Sequence, residues 1–168
     1  MATPDNIRVC FVCMGNICRS PMAEGVFRHL VTQAGLADRF TIDSAGTGGW
    51  HAGDPPDRRM QKTARAHGLD ISQQQARQFT AADFDRFDLI LAMDKDNLHD
   101  ILYLDHDDAH SRKVRLFREF DPTPETYQVP DPYYGGAGGF DHVYQIVNRT
   151  STALLEQLRS TLNLASTP

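Results

Sequence analysis

Cys13-Met14-Gly15-Asn16-Ile17-Cys18-Arg19-Ser20 is the stretch on which the reading of this chain turns. The apolar run Ile7-Arg8-Val9-Cys10-Phe11-Val12 leads into it and reads as a buried strand. Pro21 follows, a residue suited to the first position of a helix. The stretch therefore joins a strand end to a helix N-terminus, where unpaired amides and the positive end of the helix dipole favour an anion. A cysteine opens the loop and Arg19 stands near its close. The thiolate is the nucleophilic form of cysteine, and a helix N-terminus and a nearby cation both favour it. The planar fork of Arg19 can clamp two phosphate oxygens, which lysine cannot do. Nucleophile and anion site would then be one object, with the Ser20 hydroxyl placed to cap the helix or donate to the sulfur. A cysteine after a strand is more often a small buried hydrophobe. Its place at a strand-to-helix turn, with Gly15 inside the turn, favours catalysis.

Composition sets the bounds. A chain of 168 residues, 40% apolar and 23% charged, is expected to form a single domain over residues 1–168. A net charge of −5 argues against a general nucleic-acid binder, whose footprint is basic. No apolar run approaches a membrane span, and residues 1–6 have neither the basic start nor the apolar core of a signal peptide. Three cysteines, all between Cys10 and Cys18, do not suggest a secreted disulfide framework, so a cytoplasmic location is expected.

Read in order, apolar runs predict strands at 7–12, 40–45, 89–93 and 114–117. Helices are predicted at 21–34, 57–67, after Asp94 as a cap, and at 140–162. Residues 76–80 read as a short strand or extended segment, and Thr80-Ala81-Ala82-Asp83 as a capping-type start. This alternation predicts an α/β doubly wound, three-layer fold with a four-stranded parallel sheet of order 2-1-3-4. The cysteine loop then lies at the carboxyl end of strand 1, where such folds bind ligands. Cys10 and Cys13 spell Cys-x-x-Cys, but positions three apart in a strand face opposite ways, so Cys10 reads as core.

Three further segments carry candidates. The glycine-rich loop at 46–54 has the wrong spacing for a dinucleotide motif, yet holds Trp50, the single tryptophan. Residues 105–110 are rich in Asp and His but match no metal spacing and read as a solvated acidic loop. The long loop at 119–139 holds Asp131 between Pro130 and Pro132, which stiffen the backbone around one carboxylate. Most aspartates so placed are turn residues. His67, at a helix C-terminus, can simply interact with the dipole.

Residues 13–20 resemble the signature of the low-molecular-weight protein tyrosine phosphatases. Asp131-Pro132-Tyr133-Tyr134 resembles that family's second motif, and the likeness runs over about residues 8–158. It implies a protein tyrosine phosphatase acting through a phosphocysteine: Cys13 as nucleophile, Arg19 as clamp and Asp131 as general acid and base. Met14, Gly15, Asn16, Ile17, Cys18 and Ser20 would form the phosphate loop. Trp50, Tyr133 and Tyr134 would line an aromatic slot deep enough to favour phosphotyrosine over phosphoserine. The resemblance implies that His67 joins Asn16, Ser20 and Ser44 in bracing the loop. It also implies a reversible Cys13–Cys18 disulfide; packing alone explains a buried Cys18 equally well. Cofactor and metal are both expected to be absent. The expected partners are phosphotyrosine proteins and phosphate or other oxyanion inhibitors, not nucleic acid or membrane. A monomer with weak self-association through the paired tyrosines is expected.

Two relatives of the family compete. Arsenate reductases need downstream cysteines, and none follows Cys18. Protein-arginine phosphatases carry threonine where Ile17 stands and lack the aromatic slot. A non-catalytic phosphate-binding module would be expected to lose Cys13 or Asp131, and both are present.

Overall fold

Four short apolar runs pair into one sheet. The computed structural model describes residues 5–133, 135 and 138–162. Strands β1 (Ile7–Cys13), β2 (Phe40–Gly46), β3 (Leu89–Ala92) and β4 (Val114–Leu116) lie in the order β2-β1-β3-β4, every neighbouring pair parallel. Parallel pairing needs crossovers. These are supplied by α1 (Arg19–Gln33), α2 (Arg58–Ala66), α3 (Asp83–Arg86) and α4 (Lys95–Tyr103), and α5 (Gly138–Arg159) closes the fold. The predicted sheet order and strand positions are those observed.

The period-two alternation of β1 divides the core. Val9, Phe11 and Cys13 belong to the layer packed by α1 and α5, while Cys10 and Val12 belong to the opposite layer with Phe84, Ile90 and Ile101. Cys10 is thus a core residue, facing away from Cys13. Phe11 anchors the larger layer, meeting Phe27 edge-on at 5.7 Å and Phe117 at 5.3 Å. Such pairs contribute about 0.5–1.5 kcal/mol beyond their buried area. Helix α1 ends where Gly35 takes a φ of 72°, a left-handed value that a side chain would strain.

Local readings gain detail in three places. Residues 76–80 take the extended alternative, with a single bridge, Gly46 to Gln78. The Thr80 amide is taken by the Asp83 carboxylate at 2.8 Å, and the amide of Ala76 by the Asp54 carbonyl. In the acidic loop, Asp105 accepts from the amides of Ala109 and His110, so its carboxylate serves the backbone. No described helix is long and apolar enough to cross a membrane.

Candidate active site

Strand β1 ends at Cys13, paired with Gly46 at the end of β2, and residues 14–18 carry the chain into α1. Three carbonyls of this turn are tied to other segments. Thr47 N donates to Cys13 O at 2.9 Å, Gly48 N to Met14 O at 2.9 Å and Asp57 N to Ile17 O at 2.8 Å. The amides of Met14, Gly15, Asn16, Ile17 and Cys18 have no acceptor among the described residues. Successive unpaired amides before a helix form an anion-binding nest. The turn closes this tightly because residue 46 is glycine: a Cβ there would stand 2.7 Å from Met14 O and 3.1 Å from Asn16 N. Asn16 takes a φ of 57°, which asparagine tolerates better than most side chains.

Cys13, Met14, Gly15, Ile17, Cys18 and Arg19 line a pocket completed by His51, Asp131 and Tyr133. Arg19 is only 3% exposed. Its Nη1 donates to Asp94 Oδ2 at 2.6 Å and to Val129 O at 3.0 Å, and its Nη2 lies 3.6 Å from Asp131 Oδ2. Burial works against the guanidinium charge, but the Cys13, Asp94 and Asp131 charges outweigh it and raise its pKa. Asp94 does more than the predicted capping. One oxygen accepts from Asn97 N at 2.8 Å to cap α4, and the other holds the Arg19 guanidinium. Burial pushes the Cys10 and Cys18 thiols well above the usual range, so neither ionises near neutral pH.

A brace lies behind the loop. Ser20 Oγ is 3.0 Å from Cys13 Sγ. The Asn16 amide donates to Ser20 Oγ at 2.7 Å and to Ser44 Oγ at 3.0 Å, while its Oδ1 accepts from Arg77 N. Ser44 in turn donates to Glu24 Oε1 at 2.7 Å. Ser20 accepts from Asn16, and its own proton lies between Cys13 Sγ at 3.0 Å and Ala45 O at 3.5 Å, so the shorter contact can serve a thiolate at Cys13. The expectation for His67 is corrected here. Its Nε2 bonds Asp141 at 2.8 Å and its ring stacks on Tyr144 at 3.6 Å, so it anchors α2 to α5. Glu24, one helical turn beyond Ser20, takes the bracing place instead. A carboxylate set among Ala23, Val26 and Phe27 on the core side of the helix was the available signal.

Asp131 is carried by a tied segment. Val129 N donates to Met93 O at 2.7 Å, and Lys95 N to Gln128 Oε1 at 3.0 Å. Arg118, 1% exposed, donates to Gln128 O at 2.8 Å and to Asp121 Oδ2 at 2.9 Å; Asp121 also receives both arms of Arg149. Asp131 Oδ1 accepts from Tyr133 N at 3.0 Å. Tyr133 lines the pocket. Trp50 does not: it is 73% exposed with its ring against Gly48, and the adjacent His51 faces the pocket in its place. The Asn16 side chain stands behind the loop, leaving only its backbone amide to the nest. Tyr134 lies outside the described residues.

Residues 8–164 match the family described as low molecular weight phosphotyrosine protein phosphatase. A low molecular weight protein-tyrosine-phosphatase of Streptomyces coelicolor is 47% identical over 154 residues, covering 90% of this chain and 93% of that one. The crystal structure of a protein tyrosine phosphatase from Entamoeba histolytica with Hepes in its active site superposes with a TM-score of 0.86. It is 36% identical, covering 92% of this chain and 98% of that one. A structure named drosophila arginine phosphatase superposes with a TM-score of 0.83 at 34% identity, covering 90% and 97%. The chain belongs to the low molecular weight phosphotyrosine protein phosphatase family.

Proposed function

We propose that this chain hydrolyses phosphotyrosine, and aryl phosphates generally, through a phosphocysteine. The observation that carries the reading is the convergence of Cys13, Arg19 and Asp131 on one pocket walled by unpaired amides. Cys13 thiolate attacks phosphorus as the bond to the phenolic oxygen breaks, and Asp131 in its acid form protonates the leaving phenolate. Loop amides and Arg19 hold the equatorial oxygens through the transition state. Asp131, now a carboxylate, takes a proton from the water that attacks phosphorus. The sulfur–phosphorus bond breaks, and Ser20 donates to the returning thiolate. Phosphate and other oxyanions compete for the same nest.

Tyr133 at the rim and Ile17 in the loop favour a flat phenyl group. The likeness to a protein named arginine phosphatase supplies the second reading, phosphoarginine. Three free thiols suit a reducing compartment, and a monomeric, cytoplasmic enzyme belongs to the same proposal. The test is hydrolysis of p-nitrophenyl phosphate by wild type, Cys13→Ser and Asp131→Asn, followed by phosphotyrosine against phosphoarginine peptides. Both variants should lose most turnover, Asp131→Asn because the same carboxylate is the base that activates water in the second step whatever the leaving group. Equal rates in all three end the proposal, and a preference for phosphoarginine replaces the substrate.

A further inference from the structure

Helix α2 begins at the phosphate pocket and leads away from it. Asp57 caps α2 with its side chain on Arg59 N, and its own amide holds Ile17 O at 2.8 Å. From that junction the helix presents Arg58, Arg59, Lys62 and Arg65, all exposed, on a chain whose net charge is −5. Arg59 is committed: it pairs with Asp57 at 2.9 Å, and its guanidinium lies 5.3 Å from the Tyr133 ring and 4.7 Å from the Phe140 ring. Arg58 and Lys62 have no carboxylate within ion-pair distance among the described residues, and at i, i+4 they share a helix face. A groove lined by Arg59, Lys62, Thr63, Ala66, Phe140 and Asp141 runs along this helix, and Arg59 and Tyr133 join it to the phosphate pocket. The floor is apolar. Its one acid among the described residues, Asp141, is engaged by His67 at 2.8 Å.

We propose that this groove receives the polypeptide flanking the phosphotyrosine, and that Lys62 with Arg58 selects substrates carrying Asp or Glu near it. The inference rests on the phosphatase reading above. Geometry sets the register. Lys62 lies five residues along α2 from Asp57, about 7–8 Å at 1.5 Å per residue. An extended peptide covers that distance in two to three residues. The acidic side chain therefore stands two or three positions from the phosphotyrosine. Exposed ion pairs are weak and screened by salt, so each pair should change kcat/KM by about two- to fivefold.

The test uses phosphotyrosine peptides that differ only at the second and third positions on either side, carrying Glu, Gln or Lys. Wild type should rank Glu above Gln above Lys in kcat/KM, chiefly through KM, and the ranking should collapse in high salt. In the Arg58→Glu, Lys62→Glu double variant the Glu-to-Gln ratio should invert. Because the ratio is taken within one protein, a general loss of activity cancels. No discrimination by wild type, or discrimination that survives the double variant, overturns the proposal. Failure to hydrolyse even the Gln peptide would instead sink the phosphotyrosine reading itself.

Discussion

Replacing Arg118 by methionine isolates the support of Asp131, the proposed general acid, from Asp131 itself. Arg118 makes two charge-assisted hydrogen bonds, to Asp121 at 2.9 Å and to the carbonyl of Gln128 at 2.8 Å. Each is worth about 1.5–3 kcal/mol. Against this, its Nη2 is buried without a hydrogen-bond partner among the described residues, which costs about 1–3 kcal/mol that methionine relieves. Asp121 keeps Arg149 and the Thr123 amide, so no carboxylate is left unpaired. The two bonds sum to about 3–6 kcal/mol, so the net loss should be about 0–5 kcal/mol, or up to about 20 °C in Tm for a chain of this size. The functional effect is more specific. Gln128 stands three residues before Asp131, and with its anchor gone the carboxyl loses its aim at the leaving oxygen. The assay is kcat/KM across aryl phosphates whose phenols range from weakly to strongly basic. Phenyl phosphate, which needs its leaving group protonated, should fall about tenfold or more, equivalent to about 1.4 kcal/mol in the transition state. p-Nitrophenyl phosphate, with a far less basic leaving group, should fall less than twofold. A parallel loss across the series would refute the reasoning, because general damage to the fold does not discriminate between leaving groups.

Other perturbations bear on other parts of the site. Gly46→Ala forces a methyl against Met14 O and Asn16 N, both backbone; about 1–3 kcal/mol of strain should be relieved by displacing the loop, seen as weaker phosphate inhibition in a competition assay. Asp94→Asn removes the charge that fixes Arg19, and kcat/KM should drop about ten- to a hundredfold with little change in circular dichroism. Asp121 supplies a pH prediction. Burial tends to raise its pKa, but hydrogen bonds from Arg149, the Thr123 amide and Arg118 outweigh that and hold it far below the carboxylate range. A depressed folded pKa means the stabilisation is present above the unfolded value of about 3.9 and is lost as pH falls through the folded one. Urea titrations from pH 7 to pH 2.5 should therefore show a shallower acid decline for Asp121→Asn than for wild type, and equal slopes would contradict it.

The sheet was legible because its strands are short apolar runs and its crossovers have the period of amphipathic helices. Strand β1 even declared which of Cys10 and Cys13 would face the loop, since side chains alternate. The loop itself was legible because Cys13, Gly15, Arg19 and Pro21 are local in sequence. What escaped depends on distant chain segments meeting. Glu24 reaches Ser44 across α1 and β2, and Asp94 reaches Arg19 from the end of β3. Neither spacing encodes that contact. His67 misled because a histidine at a helix end has several equally sound uses, and Asp141 and Tyr144 on α5 decided which. Trp50 misled because exposure of an aromatic ring says it can bind something, not which neighbour it lies beside.

The most direct measurement is acid quench of the enzyme during turnover of an aryl phosphate, followed by peptide mapping for a thiophosphate ester. A phosphate mass on the peptide at Cys13, absent from Cys13→Ser, is the predicted result. Phosphate on Cys18 or Cys10, or turnover with no phosphorylated cysteine at any quench time, would contradict it.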